Sequence, residues 1–314
     1  MFADAAKIVD GQIHMYVAEM AENCGLSTWL TNSMVAHVAA DSPTKVFHRV
    51  DTAVEPWAHN PEIDIVPALP NSSESPLYLL LQMGNGTVTK PVVNCDGGSS
   101  AESTRWERQL TQNSSFTIDI HSSSSPNGPW TSNKVVLNGV GELGNWNPTA
   151  VVLPNGTARM MILCNKDDGI RILEAASWRG PYNVLTPEPA VRCSIERFKW
   201  CVEDGFIYQD TRGHWHSLFH MFDFPNATKL KWSGGHAFSR DGIIWSNVSQ
   251  AYNTTVEVKG NGSAPGQVLF ASRRERPKLL FNAAGEPTHL FNGVQLGEYR
   301  WYTMAQELRT TKHS

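Results

Sequence analysis

Residues Glu203 to Phe222, EDGFIYQDTRGHWHSLFHMF, read as two apolar strands joined across an Arg212-Gly213 turn, with a polar dipeptide, Asp204-Gly205, heading the first strand. A glycine at a short turn between two apolar runs is the local signature of a hairpin, because the turn needs a positive φ. The same unit recurs along the chain: a polar dipeptide, an apolar strand, a Gly turn, a second apolar strand, a loop, and a third strand ending in a Ser-rich Gly-aromatic turn. It opens five times, at Asp4-Ala5, Asn60-Pro61, Asn147-Pro148, Asp204-Gly205 and Arg276-Pro277. Further hairpin turns stand at Asp10-Gly11, Asn155-Gly156 and Ala284-Gly285. The third strands echo one another in IDIHSSSSPNGPW closing at Trp130, ILEAASWRGPY closing at Tyr182 and GHAFSRDGIIW closing at Trp245.

A unit of roughly 55 to 85 residues with three or four strands is too long for a solenoid rung and suits a propeller blade with loop insertions. No segment of period 3.6 exceeds two turns. The sequence therefore predicts an all-β fold, a five-bladed β-propeller forming a single domain over residues 1–314, with blades opening near residues 4, 60, 147, 204 and 276. A β-sandwich would also use short strands, but it gives no reason for the opening to return five times.

The composition narrows the partners. Charged residues make up 18% of the chain, below the ~25% of an average soluble protein, and the formal charge is -4 with no polybasic run. Neither a nucleic acid nor an anionic membrane finds an electrostatic footprint here. The longest apolar run, Leu77 to Leu81, is far short of the ~20 residues that cross a bilayer. N-linked sequons stand at Asn71, Asn85, Asn113, Asn155, Asn226, Asn247, Asn253 and Asn261, where chance would give roughly three. Most lie in Gly- or Pro-containing turns, so the expected setting is secreted, extracellular or in the secretory-pathway lumen, with N-linked glycans. Residues 1–20 contain Asp4, Lys7 and Asp10 and lack an uninterrupted apolar core; they are not a signal peptide, and one is expected upstream.

Five cysteines, Cys24, Cys95, Cys164, Cys193 and Cys201, allow fifteen ways of forming two bridges. Cys193 and Cys201 form the favoured pair, closing a short excursion, and Cys164 in the apolar MMILC run reads as a buried thiol. No CxxC or His-rich spacing points to a structural zinc site.

In a propeller the first strand of each blade lines the axis, so its opening residues project into the funnel. That column is Asp4, Asn60, Asn147, Asp204 and Arg276, preceded by Ala3, His59, Trp146, Glu203 and Glu275. Carboxylates, amides, an imidazole, a guanidinium and an indole around one pit are the chemistry of a carbohydrate site, where rings stack and hydroxyls bond. His236 after Gly234-Gly235, and His220 at the end of WHSLFH, are candidates at the same rim, with Glu275 expected to hold the Arg276 guanidinium. Adjacent side chains alternate along a strand, so Glu203 and Asp204 are expected to point different ways, Glu203 into the funnel.

With these openings the chain resembles the five-bladed propeller glycosidases, most closely glycoside hydrolase family 43, whose first blade opens with an Asp in an Ala-Asp-Pro motif. Phe2-Ala3-Asp4-Ala5 stands in that place. The resemblance implies that Asp4 is the general base and that Glu203, in Val202-Glu203-Asp204-Gly205, is the general acid, with Asp204 beside it as an alternative catalytic carboxylate. The family's third-blade Asp, which tunes the acid, is Asn147 here; Asp167 and Asp168 are candidates to replace it. The implied activity is inverting hydrolysis of a glycosidic bond in a plant or algal type polysaccharide or oligosaccharide. His59, Asn60, Trp146, Asn147, His220, His236, Glu275 and Arg276 are the expected substrate-binding residues. No cofactor is required, and the resemblance leaves room for a calcium ion on the propeller axis. The fructosidases of the same clan are less similar, since their Trp-Asn-Asp-Pro, Arg-Asp-Pro and Glu-Cys motifs are missing. Ser239 to Trp245 approaches a sialidase Asp-box but is one residue short, and reads as a blade turn packing Trp245. The competing class is a non-catalytic glycan-binding or cell-surface propeller.

Overall fold

A computed structural model of the chain describes residues 5–67, 75–84, 92–95, 116–140, 145–164, 169–192, 202–223, 231–258, 266–297 and 301–308. Antiparallel sheets follow one another along the chain. The first blade is Ala6–Val9, Gln12–Met20, Ser33–Ala40 and His48–Val54; the second is Ala58–Val66, Leu77–Gly84, Thr117–Ser123 and Thr131–Lys134. Asn145–Val152, Ala158–Cys164, Gly169–Ala175 and Tyr182–Val184 build the third, and Val202–Gln209, Trp215–Asp223, Lys231–Ser239 and Ser249–Tyr252 the fourth. The fifth has Arg273–Phe281, Pro287–Gln295 and Trp301–Glu307, with a separate hairpin, Thr255–Val258 and Gln267–Phe270, before it.

Both faces of each blade carry apolar side chains, and the clusters they form close a ring. Tyr16, Val35, Ile63 and Leu80 fill the space between blades one and two. Leu79, Ile118, Met160 and Leu173 do so between two and three, and Met161, Ile172, Ile207 and Phe219 between three and four. Phe206 and Leu218 meet Leu279 and Leu290 between four and five, and Leu280 and Phe291 meet Ile13 and Met15 where blade five returns to blade one. Five interfaces between five sheets are a five-bladed β-propeller.

The Asp10-Gly11 turn joins its strands with both residues at positive φ, +50° and +81°, as a two-residue hairpin requires. The openings share a less ordinary conformation. Asn60, Asn147, Asp204 and Arg276 all have φ of 50° or 51°, and at each the ladder to the second strand slips, between His59 and Glu62, Trp146 and Thr149, Glu203 and Phe206, and Glu275 and Lys278. Each is a bulge that re-aims a side chain. Asn and Asp tolerate the left-handed region, whereas Arg276 is strained there and is held by its contacts. Asp4, at the first opening, lies outside the described residues, as do Asp167, Asp168, Cys193 and Cys201. The bridge within the described residues joins Cys24 to Cys95, and Cys164 is a buried thiol.

Candidate active site

The bulged openings place their side chains against one another across the axis. Asn60 Nδ2 donates to Asn147 Oδ1 at 2.5 Å and to Asp204 Oδ1 at 3.2 Å. Arg276 reaches from blade five to both sides, its Nε 3.8 Å from Asp204 Oδ1 and its Nη2 2.9 Å from His59 Nε2. A guanidinium only donates, so His59 Nε2 carries the lone pair and Nδ1 carries the proton, which bonds Ser33 Oγ at 2.6 Å. Burial and then the Arg276 charge hold His59 well below its ordinary pKa, and it is neutral. Trp29 and Trp57 pack beside it at ring separations of 5.0 and 6.0 Å, forming an aromatic wall.

His220 organises the two carboxylates of blade four. Its Nδ1 is 3.4 Å from Glu203 Oε1 and 3.7 Å from Asp204 Oδ2, with side-chain exposures of 0% for His220, 27% for Glu203 and 6% for Asp204. Burial works against an imidazolium there, but the Asp204 and Glu203 carboxyls beside it and the charge of Glu275 outweigh it and raise His220 to about 9. The two carboxyls move in opposite directions. Burial raises Glu203, reinforced by Asp204 and Glu275 and opposed by His220. Burial also works against the Asp204 charge, yet His220 and Arg276 prevail and hold it below the carboxylate range. The two carboxyls share one imidazole with their pKa values pushed apart, Glu203 upward and more reachable from solvent, Asp204 downward and behind it.

Several expectations need correction. Alternation fails at Glu203 and Asp204, because the left-handed φ of Asp204 turns both carboxyls toward the same imidazole. His220 has no exposed surface, so it holds the carboxylates and does not meet a ligand directly. His236 is not at the rim: its strand begins five residues earlier, at Lys231, and it pairs with Leu218, its ring stacked on His216 at 5.2 Å between blades four and five. Glu275 bonds Arg273 at 3.3 Å, in addition to the contacts of Arg276 with Asp204 and His59. The Trp146 side chain lies outside the described residues.

Sequence reasoning missed Ser33, Trp29 and Trp57: Trp29 opens a one-turn helix and Ser33 the strand after it, both from blade one, and Trp57 directly precedes the opening strand of blade two. It also missed Glu62 and Lys278, although a signal existed: Asn60-Pro61-Glu62 and Arg276-Pro277-Lys278 place opposite charges at equivalent positions of two blades. For a metal, the donors of Glu203, Asp204 and His220 converge within 4.8 Å. The proton on His220 and the nearby Arg276 already supply positive charge to that group.

No protein-family model matches the chain, and no curated protein matches it in sequence. Solved structures do match. A xylan beta-1,4-xylosidase from Bacillus halodurans superposes with a TM-score of 0.59 at 13% identity, over 99% of this chain and 53% of the xylosidase. An exo-1,5-alpha-L-arabinanase from a bovine ruminal metagenomic library gives 0.56 at 10% identity, over 99% of this chain and 94% of that one. The chain has the fold of the five-bladed propeller glycoside hydrolases. A family 117 glycoside hydrolase from Zobellia galactanivorans shares it too, with a TM-score of 0.55 at 12% identity over 97% of this chain and 82% of its own. The propeller spans about half the length of the xylosidase, and identities this low speak for the fold alone.

Proposed function

We propose that this propeller is a secreted glycoside hydrolase that cleaves a glycosidic bond of a plant or algal type polysaccharide or oligosaccharide with inversion. The observation that carries the proposal is the split pair on His220, since two carboxyls pushed apart in pKa are the mark of an acid and its charged partner. Glu203, its pKa raised by burial and its side chain partly exposed, donates its proton to the leaving oxygen. Asp204 and His220 hold it in place, supplying charges where Asn147 supplies none. Asp4 is assigned the base that deprotonates water on the opposite face of the sugar, the carboxyls of inverting enzymes standing about 6.5 to 9.5 Å apart. The partly exposed Trp29, backed by the buried Trp57, and the Asn60–Asn147 amides are assigned the stacking and hydroxyl-bonding surfaces of a sugar site. The neighbours named as xylosidase and arabinanase support pentose-containing plant polymers as the first substrates to test.

A screen of the glycosylated protein on aryl furanosides and pyranosides tests the activity, with Glu203→Gln as control and the anomer of the first product read by proton NMR. Activity unchanged in Glu203→Gln overturns the acid assignment, and a retained anomer overturns inversion. The amide pair Asn60–Asn147, where a pKa-tuning carboxylate would stand, favours the second reading, a glycan-binding propeller without catalysis. Glycan-array binding with no turnover on any substrate would establish it.

A further inference from the structure

Blades two and five are not neighbours in the ring, so a bond between them crosses the axis. Lys278 makes one. Its Nζ donates to Glu62 Oε2 at 2.7 Å and to the Gly205 carbonyl at 3.3 Å, and sits 5.2 Å from the centre of the Phe206 ring. The other oxygen of Glu62 accepts from Thr149 Oγ1 at 2.9 Å and from the Ala150 N–H at 3.3 Å, while Thr149 Oγ1 accepts from the Ile207 N–H at 3.0 Å. One buried ion pair thereby joins the inner strands of blades two, three, four and five.

A calcium ion needs about six to eight oxygens at 2.3 to 2.6 Å, and the residues on this axis do not fit it. The small cavity there is bounded by the amides of Asn60 and Asn147, the Asp204 carboxylate, the Arg276 guanidinium and the Lys278 ammonium. Its oxygens are largely engaged: Asn147 Oδ1 accepts from Asn60, Asp204 Oδ1 from Asn60 with Arg276 alongside, and Glu62 from Lys278, Thr149 and Ala150. Among the described residues, Asn60 Oδ1 is the buried acceptor of that group left without a partner. One open acceptor beside two fixed cations repels a divalent ion.

We propose that Lys278 is the resident cation of the propeller axis, tying four inner strands together through Glu62 and Gly205, so that the fold stands without calcium. The ammonium also fixes the backbone immediately after Asp204, and so the aim of that carboxylate. The proposal does not depend on the glycosidase reading.

Calorimetric melting of the full glycosylated chain in excess EDTA and in millimolar CaCl2, with a calcium titration alongside, is the test. The expected result is one Tm in both buffers and no stoichiometric heat. A Tm that falls in EDTA, or calcium binding that Glu62→Gln abolishes, overturns the proposal. Lys278→Met strands the Glu62 charge and is expected to lower Tm by roughly 5 to 10 °C, with Glu62→Gln in the same chain recovering at least half of the loss. A Lys278→Met protein as stable as the parent also overturns it. Should Lys278→Met fail to fold, the calcium titration of the parent still decides.

Discussion

Replacing His220 by Gln is expected to change stability in a pH-dependent way, and the structure sets the size. The imidazole is fully buried between Glu203 and Asp204, which lift its pKa from 6.5 to about 9. At about 1.4 kcal/mol per pKa unit this is on the order of 3 kcal/mol of stabilisation linked to its proton. Because the folded value lies above the unfolded one, the contribution is complete below about pH 6.5 and is lost as pH rises through about 9. The variant also carries a pH-independent cost, from repacking an amide in a closed site, so the informative quantity is the change in the gap. Urea unfolding of both proteins at about pH 6 and about pH 10 should show the gap between them shrinking by about 3 kcal/mol at the higher pH. An equal gap at both would mean that His220 is neutral in the native protein. The account of the low Asp204 pKa would fall with it.

The activity of the parent should fall on the alkaline side as pH rises through the raised Glu203 pKa, and Glu203→Gln should lose roughly 10²- to 10⁴-fold in kcat; a pH–rate profile and steady-state kinetics check both. The Cys24–Cys95 bridge closes a separation of 71 residues, so Cys24→Ser with Cys95→Ser should lower the unfolding free energy by up to about 4 kcal/mol in denaturant titration. Asn155, Asn247 and Asn253 lie on exposed turns or loops, and each Asn→Gln substitution is expected to remove one glycan mass from the protein secreted by a eukaryotic host, measured by intact mass spectrometry.

What the chain declares by itself is local. Alternating apolar strands, Gly turns such as Asp10-Gly11 and the returning polar-then-Pro openings are written within a few residues of one another, which is why five blades and the column Asn60, Asn147, Asp204 and Arg276 were legible without coordinates. Strand alternation was a poorer guide at those openings. The left-handed bulge at Asp204 breaks the period of two and turns Glu203 and Asp204 onto one His220, and a bulge leaves little trace in residue type when Asn, Asp and Arg all adopt it. His236 was misplaced because the start of its strand is set by pairing with Trp215–Asp223 and not by the Gly pair before it. Only the closed ring decides which residues meet across the axis. Lys278 and Glu62 are 216 positions apart, and Arg276 and His59 are 217. Their contacts depend on how five sheets pack around a common centre, a property of the side chains between blades and of no single segment.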